Sequence, residues 1–344
     1  MDFLGFVIIC VKVLVVFSAT MLTVLMMVYA ERRVSAFMQG RLGPNRVGPQ
    51  GLLQPIADGI KFLMKEDIIP AEVNKPIYLL APAMLLIPAL MTFAVIPFGS
   101  TITLFGREVP LQVADLNVGI LYILALTSIG VYGLVLAGWA SNSKYSLIGG
   151  LRSSAQLISY ELAMGLSVVS VILLAGSLKL NVIVEDQQGY LLSWNVFKQP
   201  VAFLIFLVAV YAETNRLPFD LTEAEQELVG GYHTEYSSMK FAMFFMAEYA
   251  NMVTAAALTV TLFFGGWDVP LLNETSMGAL GAILSVLSFI LKTAFFLFLF
   301  IWVRWTFPRF RYDQLMKLGW KVMLPLALIN IFVTGGYLTL TSLR

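Results

Sequence analysis

The chain has 344 residues, of which 59% are hydrophobic and 12% are charged, whereas soluble domains carry about 25% charged residues. Its 22 basic and 21 acidic residues nearly cancel, which excludes the strongly basic surface of a nucleic-acid-binding protein. The single cysteine, Cys10, and the single histidine, His233, exclude an internal disulfide and any metal or cluster site built on several Cys or His ligands of this chain. This composition predicts one all-α transmembrane domain over residues 1–344.

Eight apolar runs approach the ~20 residues that a membrane-spanning helix needs. The fifth is the weakest, because its purely apolar part covers only Val201 to Ala212. The sequence therefore predicts a polytopic membrane helix bundle of about eight transmembrane helices. The predicted spans are about 7–29, 77–98, 116–139, 156–178, 195–214, 241–265, 279–303 and 322–341.

The basic residues are concentrated in alternate loops. The loops at about 30–76, 140–155, 215–240 and 304–321 hold sixteen of the 22 Lys and Arg residues. By the positive-inside rule these four loops are predicted to be cytoplasmic, or on the matrix or stromal side in an organelle. Both termini then lie on the opposite side, as an even number of spans requires.

The first of these loops is more than a linker. Its residues 40–49 are dense in Gly and Pro, which indicates a non-helical segment. From Leu52 to Lys65, apolar residues recur at helical spacing, with Gln54, Asp58 and Lys61 on the other face. This pattern predicts an amphipathic helix that lies in the membrane interface or lines a cavity. A surface helix with no ligand is the alternative.

Three glutamates, Glu161, Glu213 and Glu248, lie within or at the ends of predicted spans. Ionisable groups inside a membrane are costly and are functional candidates by default. At ~1.5 Å per residue, Glu161 lies roughly 8 Å and Glu248 roughly 12 Å from the cytoplasmic ends of their spans, and Glu213 is shallow on the same side. Three helices are thus predicted to place carboxylates that exchange protons in the cytoplasmic half of the membrane. The alternative is that each glutamate pairs with a base such as Lys292 and serves only packing.

The loop at 215–240 is acidic, with four carboxylates between Asp220 and Glu227 and no Lys or Arg from Leu217 to Met239. Closely spaced acids repel one another and respond to a nearby charge; a solvated acidic loop is the alternative. His233 follows this cluster and is interpreted as a structural hydrogen-bonding residue or a proton carrier. The sequence contains no P-loop and no GxGxxG fingerprint, so redox cofactors are expected on partners.

Two long motifs carry a family resemblance. Residues 40–66 read GRLGPNRVGPQGLLQPIADGIKFLMKE, and residues 213–252 read ETNRLPFDLTEAEQELVGGYHTEYSSMKFAMFFMAEYANM. Both resemble signatures of the H subunits of the proton-pumping NADH:quinone oxidoreductases, respiratory complex I, and the eight-span layout resembles that family over essentially the whole chain.

The resemblance implies a membrane subunit that forms much of a quinone-binding chamber and couples quinone reduction to proton translocation. It implies no flavin, nucleotide, metal or iron–sulfur cluster bound by this chain, and no complete active site in the chain alone. Quinone would be a substrate shared with partners. Mapped by motif, the chamber residues are Arg41, Arg46, Asp58, Lys61, Lys65, Phe219, Asp220, Glu223, Glu225 and Glu227, and the proton path comprises Glu161, Glu213 and Glu248.

The same resemblance implies the partners and the location. The partners are a hydrogenase-like quinone-site subunit, a terminal iron–sulfur subunit, small membrane subunits that adjoin an antiporter-like arm, and the lipid bilayer, with no nucleic acid. A bacterial inner membrane with both termini periplasmic is expected, or an organelle inner membrane in a eukaryote. The alternatives are the homologous membrane component of an energy-converting hydrogenase or formate-hydrogenlyase complex, a free-standing secondary transporter, and a purely structural anchor.

Overall fold

The computed structural model describes residues 3–104, 107–221, 229–270, 272 and 278–342. Across these ranges, seven helices are long and apolar enough to cross a membrane, and a further apolar helix has 14 residues. A 3-10 turn extends the helix Lys75–Met91 through Ala94, and a π turn over Gly319–Met323 joins the helix Tyr312–Leu318 to the helix Leu324–Ser342. In chain order the helices are α1 (Phe3–Met38), α2 (Gln54–Met64), α3 (Lys75–Met91), α4 (Gly119–Ala140), α5 (Lys144–Ala175), α6 (Leu180–Glu185), α7 (Asn195–Lys198), α8 (Pro200–Glu213), α9 (Ser238–Phe263), α10 (Ala279–Thr306), α11 (Tyr312–Leu318) and α12 (Leu324–Ser342).

The predicted class, an all-α polytopic membrane bundle, is confirmed. The two short strands described, β1 (Thr101–Leu104) and β2 (Arg107–Pro110), form an antiparallel pair between α3 and α4, with Thr101 opposite Pro110. The fifth predicted span differs from its expected bounds. Gln199 has non-helical backbone angles and separates the four-residue α7 from α8, which then begins at Pro200. Proline suits the first helical turn because its missing N–H would have no partner there.

Two helices extend well beyond the predicted membrane spans on the basic side. Helix α1 continues to Met38, and the chain turns at Gly40 with a φ of 64°. Helix α5 begins at Lys144, so most of the predicted loop at 140–155 is helical. It ends at Ala175, and the next residue, Gly176, has the left-handed conformation that commonly terminates a helix. These extensions give the basic side of the bundle ordered structure rather than flexible connections.

The core of the bundle is formed by α3, α4, α5, α8 and α9, with α1 and α10 packed on α9 and α12 packed on α5. Large aromatic side chains fill it, and Tyr78, Tyr160, Phe206, Phe244 and Phe263 are all fully buried. Because lipid is as apolar as these side chains, close packing and interhelical hydrogen bonds hold such a bundle together. The helices that carry the predicted proton-path glutamates, α5, α8 and α9, are therefore central elements.

The amphipathic helix predicted in the first loop is confirmed as α2. Ser238 at the start of α9 donates a hydrogen bond to the backbone oxygen of Phe62 at 2.9 Å, and Arg32 near the end of α1 pairs with Asp58. Helix α2 therefore lies beside the ends of α1 and α9 on the basic side of the bundle. Its aliphatic side chains point outward, and the exposed ones are Ile56, Ile60, Leu63 and Met64.

The segment that precedes α9 packs closely against α5 where Gly231 meets Gly149. A Cβ at Gly149 of α5 would come within 2.8 Å of the Gly231 backbone. Gly231 itself has a φ of 65°, which favours glycine. Two glycines therefore permit the close approach that brings Tyr232 beside the predicted glutamates Glu213 and Glu248.

Candidate functional site

Two of the three predicted proton-path glutamates share one buried cavity. This cavity has a volume of about 30 Å³ and is lined by Glu213 of α8, Glu248 and Asn251 of α9, Thr127 of α4 and Tyr232. A volume of that size accommodates one or two water molecules where several polar groups surround it. The cavity can thus hold the water that proton transfer between two carboxylates requires.

The third glutamate lies next to this cavity. Glu161 of α5 accepts a hydrogen bond from the hydroxyl of Ser128, and Glu213 is hydrogen-bonded to the side chain of Thr127. Thr127 and Ser128 are adjacent on α4, so one helix turn holds both carboxylates. Glu161 and Glu213 also interact electrostatically. The structure therefore brings all three glutamates, which the sequence places on three different helices, into one neighbourhood.

The base that pairs with Glu248 is Arg216 and not Lys292, the example considered from the sequence. The Arg216 Nε atom lies 3.3 Å from Glu248 Oε1, and its Nη1 atom lies 3.4 Å from Glu31 Oε1. The side chains of Arg216, Glu31 and Glu248 are 5%, 9% and 12% exposed, respectively. The guanidinium also lies over the Tyr249 ring, 4.4 Å from its centroid. One buried arginine is thus shared by two carboxylates on two different helices.

Glu31 joins four parts of the chain. Besides Arg216, it contacts the guanidinium of Arg304 on α10 and accepts a hydrogen bond of 2.7 Å from the Tyr249 hydroxyl on α9. A buried carboxylate tolerates removal from water when charged and hydrogen-bonding partners surround it. Glu31 therefore links the last part of α1 to α9 through a hydrogen bond, and to α10 and the segment after α8 through ion pairs.

A cleft opens from this charge cluster to the surface of the bundle. Its volume is about 440 Å³, within the range of small-molecule sites, which is roughly 300–1,000 Å³. Its walls come from α1, the first loop, α9 and α10, and combine several cations with aromatic rings. The lining includes Glu31, Arg32, Arg41, Arg216, Tyr249, Arg304 and Trp305. Arg216 lies between this cleft and Glu248 of the smaller cavity.

The predicted chamber residues of the first loop divide into two groups. Arg41 lines the cleft, and Asp58 is paired with Arg32, which also lines it. Arg46, Lys61 and Lys65 are exposed, and the Lys61 ammonium lies 3.9 Å from Asp58. The structure thus places Arg41 in the wall of the cleft and Asp58 in contact with another wall residue, Arg32. The other three residues lie on the outer surface of the loop.

Phe219 and Asp220, the two predicted chamber residues after α8 that the structure describes, do not line the cleft. Phe219 is buried between the rings of Tyr160 and Phe310, with centroids 5.5 and 5.4 Å away, and Asp220 pairs with Arg309 at 2.8 Å. These contacts fix the start of the acidic segment to α5 and to the residues that follow α10. Glu223, Glu225 and Glu227 lie outside the described residues.

Sequence reasoning missed Glu31, Arg216 and Arg304 as site residues. All three lie in the predicted loops at 30–76, 215–240 and 304–321, where Arg216 and Arg304 were considered only in the number of basic residues. A signal was available, because all three lie at the ends of different spans on the same predicted side of the membrane. Charges of opposite sign at one level of a helix bundle are candidates for a shared network.

His233 is packed among the aromatic rings of Tyr232, Phe241 and Phe245, at centroid distances of 5.0, 5.2 and 6.0 Å. Burial lowers the pKa of His233 to about 4 from an ordinary value of 6.5. The folded chain therefore keeps His233 neutral at pH 7, while the unfolded segment takes up a proton below pH 6.5. This stabilisation is fully present above pH 6.5 and is lost as the pH falls toward 4.

By pH 5 we expect the segment around His233 to lose about 2 kcal/mol of local stability, roughly thirtyfold in the opening equilibrium. Hydrogen–deuterium exchange of residues 229–245 in the assembled complex at pH 7.5 and 5.0 measures this change after correction for intrinsic rates. In His233→Phe, which keeps an aromatic ring in the cluster, the acid-dependent loss should disappear. An equal loss in both proteins would show that another group is responsible.

The fold and the site together define a polytopic helical membrane protein with a buried network of charges at one end of the bundle. A family profile described as NADH dehydrogenase matches residues 11–335. A relative from Geobacter sulfurreducens, named as the first H subunit of NADH-quinone oxidoreductase in that organism, is 57% identical over 342 residues, which cover 96% of this chain and 95% of the relative. A Rhodothermus marinus relative, named NADH-quinone oxidoreductase subunit 8, is 58% identical over 327 residues, covering 92% of this chain and 93% of that protein.

The chain belongs to this family, the H subunits of NADH-quinone oxidoreductase. The resemblance predicted from the two motifs is confirmed. As a member of the family, the chain is a multi-pass membrane component of an oxidoreductase complex.

Proposed function

We propose that this chain forms much of the chamber in which a quinone is reduced and transmits that event to the buried glutamates of a proton path. The observation that carries the proposal is the position of Arg216. Its guanidinium contacts Glu31, which lines the cleft, and Glu248, which lines the cavity with Glu213. A change of charge in the cleft therefore acts directly on the ion pair of the cavity.

The chemistry of the cleft fits a quinone head group. A quinone presents two carbonyl oxygens that accept hydrogen bonds, and arginine side chains supply several N–H donors without the ability to accept. Arg41, Arg216 and Arg304 line the cleft together with the Tyr249 and Trp305 rings. Reduction to quinol takes up two electrons and two protons, and the electrons come from partner subunits. Groups held around the cleft would stabilise negative charge while those protons arrive.

Transmission follows from the shared arginine. Negative charge in the cleft attracts the guanidinium of Arg216 and weakens its pair with Glu248. A carboxylate that loses its cation in a buried site takes up a proton, since an unpaired charge is costly there. When the quinol forms and the charge is neutralised, Arg216 returns and Glu248 releases its proton. Each pKa unit transmitted in this way corresponds to ~1.4 kcal/mol of coupling.

The remaining assignments from the family resemblance are part of the same proposal. Arg46, Lys61, Lys65 and the acidic segment with Glu223, Glu225 and Glu227 would border the chamber where partner subunits close it, and Phe219 and Asp220 would anchor that segment. The partners would be the hydrogenase-like and terminal iron–sulfur subunits at the cleft and small membrane subunits beside the glutamates. The membrane would be a bacterial inner membrane with both termini periplasmic, or an organelle inner membrane.

Arg41→Ala tests the cleft as the quinone site. We expect kcat/KM for quinone to fall roughly ten- to a hundredfold, the worth of one hydrogen bond from a charged group, because Arg41 lines the cleft. Arg46→Ala should also lower inhibitor-sensitive quinone reduction, but less, because Arg46 is exposed on the loop. Electron transfer from NADH to an artificial acceptor should stay at the wild-type rate in both.

Two results would contradict the cleft assignment. Wild-type quinone kinetics in Arg41→Ala would show that the cleft does not bind the substrate. A larger effect of Arg46→Ala than of Arg41→Ala would move the chamber to the outer face of the first loop. Loss of the artificial-acceptor activity as well would indicate failed assembly.

A further inference from the structure

The face of α9 that carries the cavity residues continues toward the opposite side of the membrane. Glu248 and Asn251 line the cavity, and Thr254 and Thr261 follow on the same face with Leu258 between them, at spacings of three and four residues. Thr254 and Thr261 are buried, and the Thr254 hydroxyl lies 3.0 Å from that of Thr92. Two buried threonine hydroxyls, with Leu258 between them, thus lie on this face of α9 between the glutamate cavity and the end of the helix.

At that end, the ammonium of Lys292 on α10 is surrounded by backbone oxygens. Its Nζ atom donates to the carbonyls of Phe264, Gly266 and Asp268 at 2.8, 3.1 and 2.6 Å, and it lies 4.5 Å from the centroid of the Trp194 ring. Three carbonyl acceptors require three N–H donors, which only the protonated ammonium supplies. The geometry therefore holds a positive charge at the end of α9.

The backbone around Lys292 is shaped to receive that charge. Gly265 and Gly266 have φ values of 69° and 54°, and a Cβ on either would come within 2.7 or 2.6 Å of Trp194 or Val184. The Gln187 side chain holds the turn from the other side, accepting a hydrogen bond of 3.1 Å from the Gly265 N–H. Non-helical backbone at membrane depth is tolerated where it is buried in protein with its polar groups satisfied.

Lys292 also lies well beyond the charge network on the cytoplasmic side. Arg304, which contacts Glu31, is twelve residues farther along α10, or ~18 Å at the rise of an α-helix. Since the hydrocarbon core of a bilayer is ~30 Å thick, Lys292 lies in its outer half. A fixed cation in a site of low dielectric constant repels protons and other cations, and channels use such charges as barriers.

We propose that Lys292 is a positioning and barrier residue, whose fixed positive charge stops protons of the Glu213–Glu248 cavity from leaking along α9 to the outer side of the membrane. The inference rests on the proposed proton path, because that path gives the barrier its purpose. The barrier itself is present in the protein without turnover. A pump needs such a barrier because an acidic path open at both sides would dissipate the gradient that it builds.

The test measures passive proton leak through the assembled complex in liposomes that contain a pH-sensitive dye, with a pH difference imposed and no NADH or quinone added. We expect Lys292→Met and Lys292→Gln to raise the leak per complex roughly tenfold, because removal of a unit charge from a low-dielectric path changes a proton's energy by enough for such a factor. Lys292→Gln removes the charge but keeps N–H donors for the carbonyls, so it separates the effect of the charge from that of the hydrogen bonds. It also remains testable if Lys292→Met does not assemble. Lys292→Arg should remain tight.

Two matched controls use other residues of the chain. Lys12→Met removes another lysine from a span, one whose ammonium donates to the Gln112 carbonyl at 3.1 Å, and should leave the leak unchanged. Asp268→Asn removes a buried negative charge beside Lys292 and should not raise the leak. A wild-type leak in assembled Lys292→Gln, or an equal rise in Lys12→Met, would overturn the proposal. Because no turnover occurs in this assay, its outcome does not depend on whether Glu248 couples to quinone reduction.

Discussion

Replacing Arg216 with glutamine is expected to lower inhibitor-sensitive quinone reduction and proton pumping together, each at least tenfold. The substitution leaves Glu31 and Glu248 without their shared cation in a site where all three side chains are nearly buried. Removing one partner of a buried ion pair costs roughly 3–5 kcal/mol. This loss of free energy is shared between the cleft and the cavity, and it is large enough to lower the rates of quinone reduction and proton pumping at least tenfold. Quinone reductase and proton-pumping assays on the complex in liposomes measure both effects.

The matched variant is Arg216→Lys, which keeps the charge but cannot reach two carboxylates with separate nitrogen atoms. We expect it to retain part of the quinone reduction and to lose more of the pumping, because the link to Glu248 depends on the second contact. Assembly is checked by electron transfer from NADH to an artificial acceptor. Full activity of Arg216→Gln in both assays would contradict a role for the shared arginine.

The second large effect is expected from Glu248→Gln. The amide has nearly the shape of the carboxylate but cannot take up a proton. The substitution therefore removes the step in which residue 248 takes up and releases a proton in the cavity. We expect pumping to be lost and quinone reduction to fall at least tenfold, because the two are coupled through Arg216. Glu161→Gln should act in the same direction, since Glu161 interacts with Glu213 beside the cavity.

Glu185→Gln is the control for this comparison. Glu185 ends α6 and is exposed, so its substitution should change neither activity. If quinone reduction and pumping both stayed at wild-type levels in Glu248→Gln and Glu161→Gln, these glutamates would not belong to the coupling path.

Much of the architecture could be predicted because the period and length of apolar runs are local properties of the chain. The seven long spans and α2 were predicted from them. The break at Gln199 was missed, because the apolar run alone is too short to span and the prediction extended it through Pro200. Tertiary contacts hold the turn there: the Gln199 side chain donates to Thr334 and accepts from Asn330 of α12. The helical start of α5 at Lys144 was also missed. The length of an apolar run predicts which residues lie in the hydrocarbon core of the membrane, but not how far the helix continues beyond it.

The site was predictable only in part, for a similar reason. The three glutamates stood out because each interrupts or ends an apolar run. Their neighbours did not, because Glu31 and Arg216 are 185 residues apart in sequence and Glu31 and Arg304 are 273 apart. No local pattern links such positions. Phe219 and Asp220 were assigned to the chamber from motif resemblance, and their contacts with Tyr160 and Arg309 could not be read from any local pattern.

The most direct test of the central claim is a double-mutant cycle between Glu31→Gln and Glu248→Gln, with kcat/KM for quinone measured in the assembled complex. Glu31 belongs to the cleft and Glu248 to the cavity, and Arg216 contacts both. If Arg216 transmits charge between them, the effects of the two substitutions will be non-additive by roughly 0.5–3 kcal/mol. Effects that add within about 0.5 kcal/mol would show that the cleft and the cavity act independently.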